Sequence, residues 1–145
     1  MRRAIVLMLD SLGIGASADA SRFGDAGADT FGHIAERCAD GAIDIDGRVR
    51  GALEIPQLCT LGLAHAAAES RGAWPTGLPR VNPKGAWGYA VETSAGKDTP
   101  SGHWEMAGVP VLTDWGYFAD TVPCFPAQLT ETLISRAQLT GLLGN

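Results

Sequence analysis

The chain has 145 residues, 46% of them apolar and 19% charged, which is the balance of one globular domain, or one domain with a piece of another, and not of a disordered segment. A formal net charge of −5 argues against a general nucleic-acid binder, which needs a basic face, but is compatible with a small anionic substrate whose charge a metal ion offsets. The longest apolar run, Ala4 to Leu9, is far shorter than the ~20 residues of a membrane span, and Asp10 ends it too early for a secretory leader after Met1-Arg2-Arg3.

Ala4-Ile5-Val6-Leu7-Met8-Leu9 is apolar without alternation, the pattern of a strand buried on both faces of a parallel sheet. Asp10 closes it and Ser11 to Gly15 form a loop, which places a carboxylate where open α/β sheets bind ligands. Ala28 to Cys38 predicts a helix capped by Asp29 or Thr30, with Phe31, Ile34, Ala35 and Cys38 on its apolar face. Residues 40–54 are polar and irregular, with a turn or small hairpin at Asp46-Gly47. A second helix is expected from Pro56 through Leu58, Leu61 and His65 to about Glu69. Residues 70–85, rich in Gly and Pro, read as loop, and the alternation of large and small side chains over Ala86 to Val91 predicts a second strand. A further helix is expected from Pro100, directly after Thr99. The texture changes near Trp115-Gly116-Tyr117-Phe118, and a last helix from Pro126 to about Leu139 would carry Leu129, Leu133, Ile134 and Ala137 on one side.

Thr99 is the residue with the most chemistry. As the cap of the helix that starts at Pro100, its hydroxyl would stand among free backbone N–H groups whose dipole favours a phosphate. A threonine hydroxyl is a poor nucleophile until a base or metal lowers its pKa, and the hard carboxylate of Asp10 suits Mg²⁺ or Mn²⁺. On residue type alone, Thr99 as a plain cap and Asp10 as a plain strand end is the better account of the pattern.

Other motifs are weaker. Gly96-Lys97-Asp98-Thr99 is not a P-loop, because Asp98 separates the lysine from the threonine and Val91 stands where that motif needs glycine. Gly13-Ile14-Gly15-Ala16-Ser17-Ala18 fits a relaxed dinucleotide fingerprint, but Ser21 to Gly27 reads as loop where a helix should follow, and Asp10 would oppose a pyrophosphate. His33 falls off its helix's apolar face and is expected in solvent, His65 at the core edge, and His103 in a structural role near Thr99. No G-x-S-x-G elbow occurs. Cys38, Cys59 and Cys124 are widely spaced with no CxxC pair, and read as buried or free thiols suited to a reducing cytoplasm.

Asp10-Ser11-Leu12-Gly13-Ile14-Gly15, Arg22-Phe23-Gly24-Asp25, Gly27-Ala28-Asp29-Thr30, Gly32-His33-Ile34-Ala35 and the run from Gly96 to Glu105 closely resemble the amino-terminal part of the phosphopentomutase family. Ala107 to Leu112 and Trp115 to Phe118 match in the same order, so the resemblance spans essentially the whole chain. It implies an α/β fold: residues 1–115 as the amino-terminal part of an alkaline-phosphatase-like core sheet flanked by helices, and 116–145 as the start of an inserted cap domain. It implies interconversion of the 1- and 5-phosphates of ribose or deoxyribose in the cytoplasm, with two Mn²⁺ ions and a sugar bisphosphate activator. Carried over by motif, Thr99 is the phosphorylated nucleophile and a metal ligand, and Asp10 is a ligand to one metal. Family members run to several hundred residues, and their remaining Asp and His ligands lie beyond the region matched by Asn145. The chain alone is therefore expected to lack mutase activity, to need a carboxyl-terminal part, and to expose apolar surface on its first strand. The resemblance implies a small pentose phosphate as partner, with no nucleic acid and no membrane. An inactive or partner-dependent remnant domain is the alternative, and a dinucleotide-binding oxidoreductase, which titration with NAD would test, a remote one.

Overall fold

Helices account for nearly all the regular structure of this chain, for which a computed structural model describes residues 3–145. The helices are α1 (Thr30–Ala39), α2 (Pro56–Leu61), α3 (Leu63–Arg71), α4 (Thr99–Met106) and α5 (Ala127–Ala137), preceded by a single 3₁₀ turn, Ala20–Phe23. The chain forms two compact units, one ending at Glu92 and the other beginning at Thr93.

The two strands expected at 4–9 and 86–91 are not formed, and the sheet is the main correction to the sequence reading. Among the described residues the only bridge between extended segments joins Ile45 to Arg48. A strand exists only as part of a ladder, and a run buried on both faces also needs helices to cover it. Here Ile5, Val6 and Leu7 are 81%, 82% and 89% exposed. The lone bridge flanks Asp46 and Gly47, both at positive φ (54° and 73°), as a two-residue hairpin turn requires.

In the first unit, α1 begins where Asp29 accepts a hydrogen bond from the Gly32 N–H, and it buries Phe31, Gly32, Ala35 and Cys38. Ile34, expected on the same face, is left substantially exposed. The loop after Asp10 is tied to this helix by the Phe31 N–H, which donates to the Gly13 carbonyl. The single helix expected over 56–69 is divided at Gly62, whose left-handed backbone (φ 107°) ends α2 and opens α3. The glycine is required twice over: by that conformation, and because a Cβ there would lie 2.6 Å from the Cβ of Trp87.

Phe31, Cys59, Ala64, Ala67 and Leu78 form the core of this unit, with Leu12, Ile14, Leu53, Ile55, Leu63, Trp74 and Val81 against it. His65 takes the core-edge place expected of it: its Nε2 lies 2.9 Å from the Val81 carbonyl, and its ring meets Trp74 edge-on at 5.0 Å. Leu61, on the expected apolar side, is exposed. Cys38 and Cys59 are buried free thiols, and burial pushes the Cys59 thiol up, which leaves it unreactive. At the end of α3, Arg71 forms ion pairs with Asp29 at 2.5 Å and Glu36 at 2.7 Å, and so joins the two helices.

In the second unit, α5 ends at Gln138 in a left-handed conformation and buries none of its residues, although Leu129 and Leu133 share one side as expected. Phe118 and Phe125 meet edge-on at 5.0 Å, and the Asn145 side chain bonds both backbone groups of Phe125. Among the described residues no helix is long and apolar enough to cross a membrane.

Candidate active site

Helix α4 starts one residue earlier than its sequence pattern implies. Asp98 is the cap: its carboxylate accepts from the Ser101 N–H and from the Ser101 hydroxyl, each at 2.9 Å. A carboxylate at this position also complements the helix dipole, and Asp is at least as good a cap as Thr. Thr99 becomes the first helical residue, exposed, with a hydroxyl that no hydrogen bond among the described residues engages. The cluster of free N–H groups expected around that hydroxyl is reduced. Pro100 has none and Asp98 takes that of Ser101, while among the described residues the Thr99 N–H has no partner at the helix start. The negative charge of Asp98 further disfavours a phosphate held by the helix end alone, so positive charge must come from elsewhere.

The segment around Thr99 is braced on both sides. Ser101, fully buried, accepts at Oγ from the Trp115 indole N–H at 2.7 Å. Gly96 lies against this group. A Cβ there would sit 2.6 Å from Trp115 Cδ1 and 3.0 Å from Ser101 Oγ, and would collide with the Asp98 carboxylate. Gly96→Ala is therefore expected to destabilise this unit by about 1–3 kcal/mol through overpacking, read as a lowered urea midpoint with a shift in tryptophan emission. An unchanged midpoint would mean that Trp115 does not stand over Gly96 in solution.

On the other side, Glu105 of α4 accepts four hydrogen bonds: from the Thr93 N–H and hydroxyl at one carboxylate oxygen, and from the Ser94 N–H and hydroxyl at the other. The Ser94 hydroxyl first, then the Thr93 amide and the remaining two donors, hold this carboxyl down to about 2 from the usual 4.5 against the opposing pull of desolvation. Its folded-state pKa lies below that of the unfolded chain. The stabilisation is thus complete above about pH 4.5 and is lost as pH falls toward 2. A carbon-detected NMR titration of the Glu105 carboxyl should give a midpoint near 2, and a midpoint near 4.5 would mean the four bonds are not kept in solution.

Asp10 belongs to the first unit. It is exposed in a turn with Ser11, and its Oδ1 accepts from the Ser11 N–H at 3.0 Å while Oδ2 takes no bond among the described residues. The Gly13 to Gly15 loop that follows lines a cavity of about 290 Å³ with Ser70 and Val91. The strand and helix that a dinucleotide fingerprint needs on either side of this loop are not formed; the 3₁₀ turn Ala20–Phe23 and then α1 follow instead.

In the first unit His33 is in solvent and His65 is in the core edge; in the second His103 turns its Nδ1 to the Thr99 carbonyl at 2.8 Å. Among the described residues no group of three or more His, Cys, Asp or Glu side chains could hold a metal ion. The sequence reading missed the bracing residues. Asp98 had a local signal, an Asp directly before Thr-Pro with a serine three residues on, whereas Glu105 had none, because its partners lie 11 and 12 residues away.

The family model described as the metalloenzyme superfamily matches residues 2–140, and the chain belongs to this superfamily. Within it, the chain is 59% identical to the phosphopentomutases of Shewanella sp. (strain W3-18-1) and Shewanella baltica (strain OS155), over 146 aligned residues. The phosphopentomutase of Shewanella sp. (strain MR-4) is 58% identical over the same span. Each match covers 100% of this chain and 36% of the relative, so the chain spans about a third of the length of the curated relatives it matches. No solved structure matches the chain.

The carboxylate of Asp10 and the hydroxyl of Thr99, each taken within its own unit, suit a hard divalent cation in kind. They do not suffice in number, since such ions take about six oxygen or nitrogen ligands and water fills only some places.

Proposed function

We propose that this chain is the amino-terminal part of a phosphopentomutase, contributing the phosphoryl-carrying threonine and one metal-binding carboxylate to a site completed by a carboxyl-terminal part. The observation that carries the proposal is the 59% identity to phosphopentomutases over the whole chain. In this reading residues 1–115 belong to the metal-binding α/β core and 116–145 open the cap domain. The strands at 4–9 and 86–91 take their places in a sheet once neighbouring strands are supplied. The complete protein works in the cytoplasm on ribose or deoxyribose phosphates, with a sugar bisphosphate as activator.

Thr99 is the group that carries the phosphoryl. A sugar hydroxyl oxygen attacks the phosphorus of phospho-Thr99, the bond to Thr99 Oγ1 breaks, and the hydroxyl proton ends on that oxygen, leaving a sugar bisphosphate. Thr99 Oγ1 then attacks the phosphorus of the other phosphate, the bond from that phosphorus to the sugar oxygen breaks, and the threonine proton ends on the sugar oxygen, which restores the phosphothreonine and releases the isomer. The exposed hydroxyl fits this role, since a hydroxyl oxygen already accepting a capping N–H would first have to give up that bond. Two Mn²⁺ ions, held in part by Asp10 and Thr99, would supply the charge that neutralises the phosphoryl oxygens and lowers the hydroxyl pKa.

The test is turnover of ribose 5-phosphate to ribose 1-phosphate with Mn²⁺ and a sugar bisphosphate. The chain alone is expected to be inactive, and to gain activity when joined to, or mixed with, the carboxyl-terminal part that its relatives carry. Turnover by the isolated chain would remove the need for further ligands, and no turnover in the completed protein would overturn the function itself.

A further inference from the structure

Thr99 stands midway between Thr93 and Glu105, and these two residues are bonded to one another. The segment 93–105 is thus a closed loop, its ends held by all four contacts of one carboxylate and its apex carrying the free hydroxyl. The closure continues outward: the Ser94 hydroxyl accepts from the Val111 N–H at 3.1 Å, and the Ala95 N–H donates to the Val111 carbonyl at 2.7 Å. Near the apex the Asp98–Ser101–Trp115 group sets the first turn of α4, and His103 lies against the Thr99 carbonyl. Asp98, His103 and Glu105 each engage backbone groups of this loop, and among the described residues none of them bonds the Thr99 hydroxyl.

We propose that Glu105 is a positioning residue for phosphoryl transfer: by pinning Thr93 and Ser94 to α4 it holds Thr99 Oγ1 where it must meet the phosphorus. This rests on the proposed role of Thr99 as phosphoryl carrier. A nucleophile displaced by about 1 Å from its line of attack loses roughly a hundredfold in rate, so loop closure acts on the transfer step rather than on sugar binding. Both oxygens of the carboxylate accept, which an amide cannot reproduce. In Glu105→Gln the carbonyl oxygen can keep one pair of donors, while its NH₂ faces the other pair.

The experiment compares the parent, Glu105→Gln and Glu105→Ala in the protein that carries this sequence together with the carboxyl-terminal part of its relatives. It measures kcat and KM per folded molecule, with the folded fraction from circular dichroism, and Thr99 phosphorylation by intact mass. In the 145-residue chain, amide hydrogen exchange at Thr93 and Ser94 reports whether the clamp itself is present. The expected result is a graded fall in kcat, about tenfold for Gln and on the order of a hundredfold for Ala, with KM within about twofold and faster exchange at both amides. A fall in folded fraction with kcat per folded molecule unchanged would overturn the inference and leave Glu105 as scaffold only. Unchanged exchange in Glu105→Ala would overturn it as well. If the parent neither turns over nor accepts phosphate on Thr99, it is the proposed function that fails, and the positioning role falls with it.

Discussion

Thr99→Val is expected to remove phosphorylation of the chain and to lower pentose phosphate interconversion in the completed protein by on the order of a thousandfold or more. The same variant should unfold within about 0.5 kcal/mol of the parent. These two results belong together because of how α4 is capped. Asp98 makes the capping bonds and the Thr99 hydroxyl makes none among the described residues, so valine, with the same branching, removes the oxygen proposed to carry the phosphoryl without removing a bond from the fold. Had Thr99 been the cap, the substitution would cost about 1 kcal/mol and the loss of activity would be ambiguous. Urea unfolding beside intact mass after exposure to a sugar bisphosphate separates the cases. A phosphorylated valine variant would place the carrier elsewhere in the chain.

Arg71→Met is expected to have the largest effect on stability, about 2–4 kcal/mol, from removing the cation between two carboxylates. Arg71 and Asp29 are largely shielded, with side-chain exposures of 14% and 10%, whereas Glu36 at 37% faces water and contributes less. Burial pulls the Arg71 pKa down, but the hydrogen bonds and charges of Asp29 and Glu36 outweigh it and raise it, so the guanidinium keeps its charge. Most of the cost comes from Asp29, left buried and charged at the start of α1. In an Asp29→Asn background, where the amide still caps the helix, the same substitution should cost distinctly less. A urea midpoint for Arg71→Met equal to that of the parent would mean that α1 and α3 are not joined through this side chain.

Both variants show where local pattern was enough and where it was not. Proline at the start of α2, the acidic cap of α1 and the Asp46-Gly47 turn are signals that act over three or four residues, and each is found in place. The candidate nucleophile was readable because Thr99-Pro100 sits in a run whose order matches a known family. The hydrogen bonding around it was not, because capping by Asp98 and by Thr99 look alike until the side chains are seen to choose. Arg71 gave no sign of its role, since its partners lie 42 and 35 residues back in the chain. The apolar side read for α1 was right at Phe31, Ala35 and Cys38 and wrong at Ile34. A helix buries only as wide a stripe as its neighbours cover.

The amino-acid sequence by itself determined the family, the place of Thr99 at the head of a helix and the approximate span of most helices, because these rest on contacts between near neighbours. Only the tertiary structure decided that Gly62 divides one helix into two, since the reason is the side chain of Trp87 occupying the space of a Cβ. It also decided that the apolar runs at 4–9 and 86–91 stay out of any ladder, because a strand is made by its partner's hydrogen bonds and not by its own residues. And it placed Glu105, a residue with no local mark, at the base of the loop that presents Thr99, where one carboxylate gathers four donors from a segment 11 and 12 residues away.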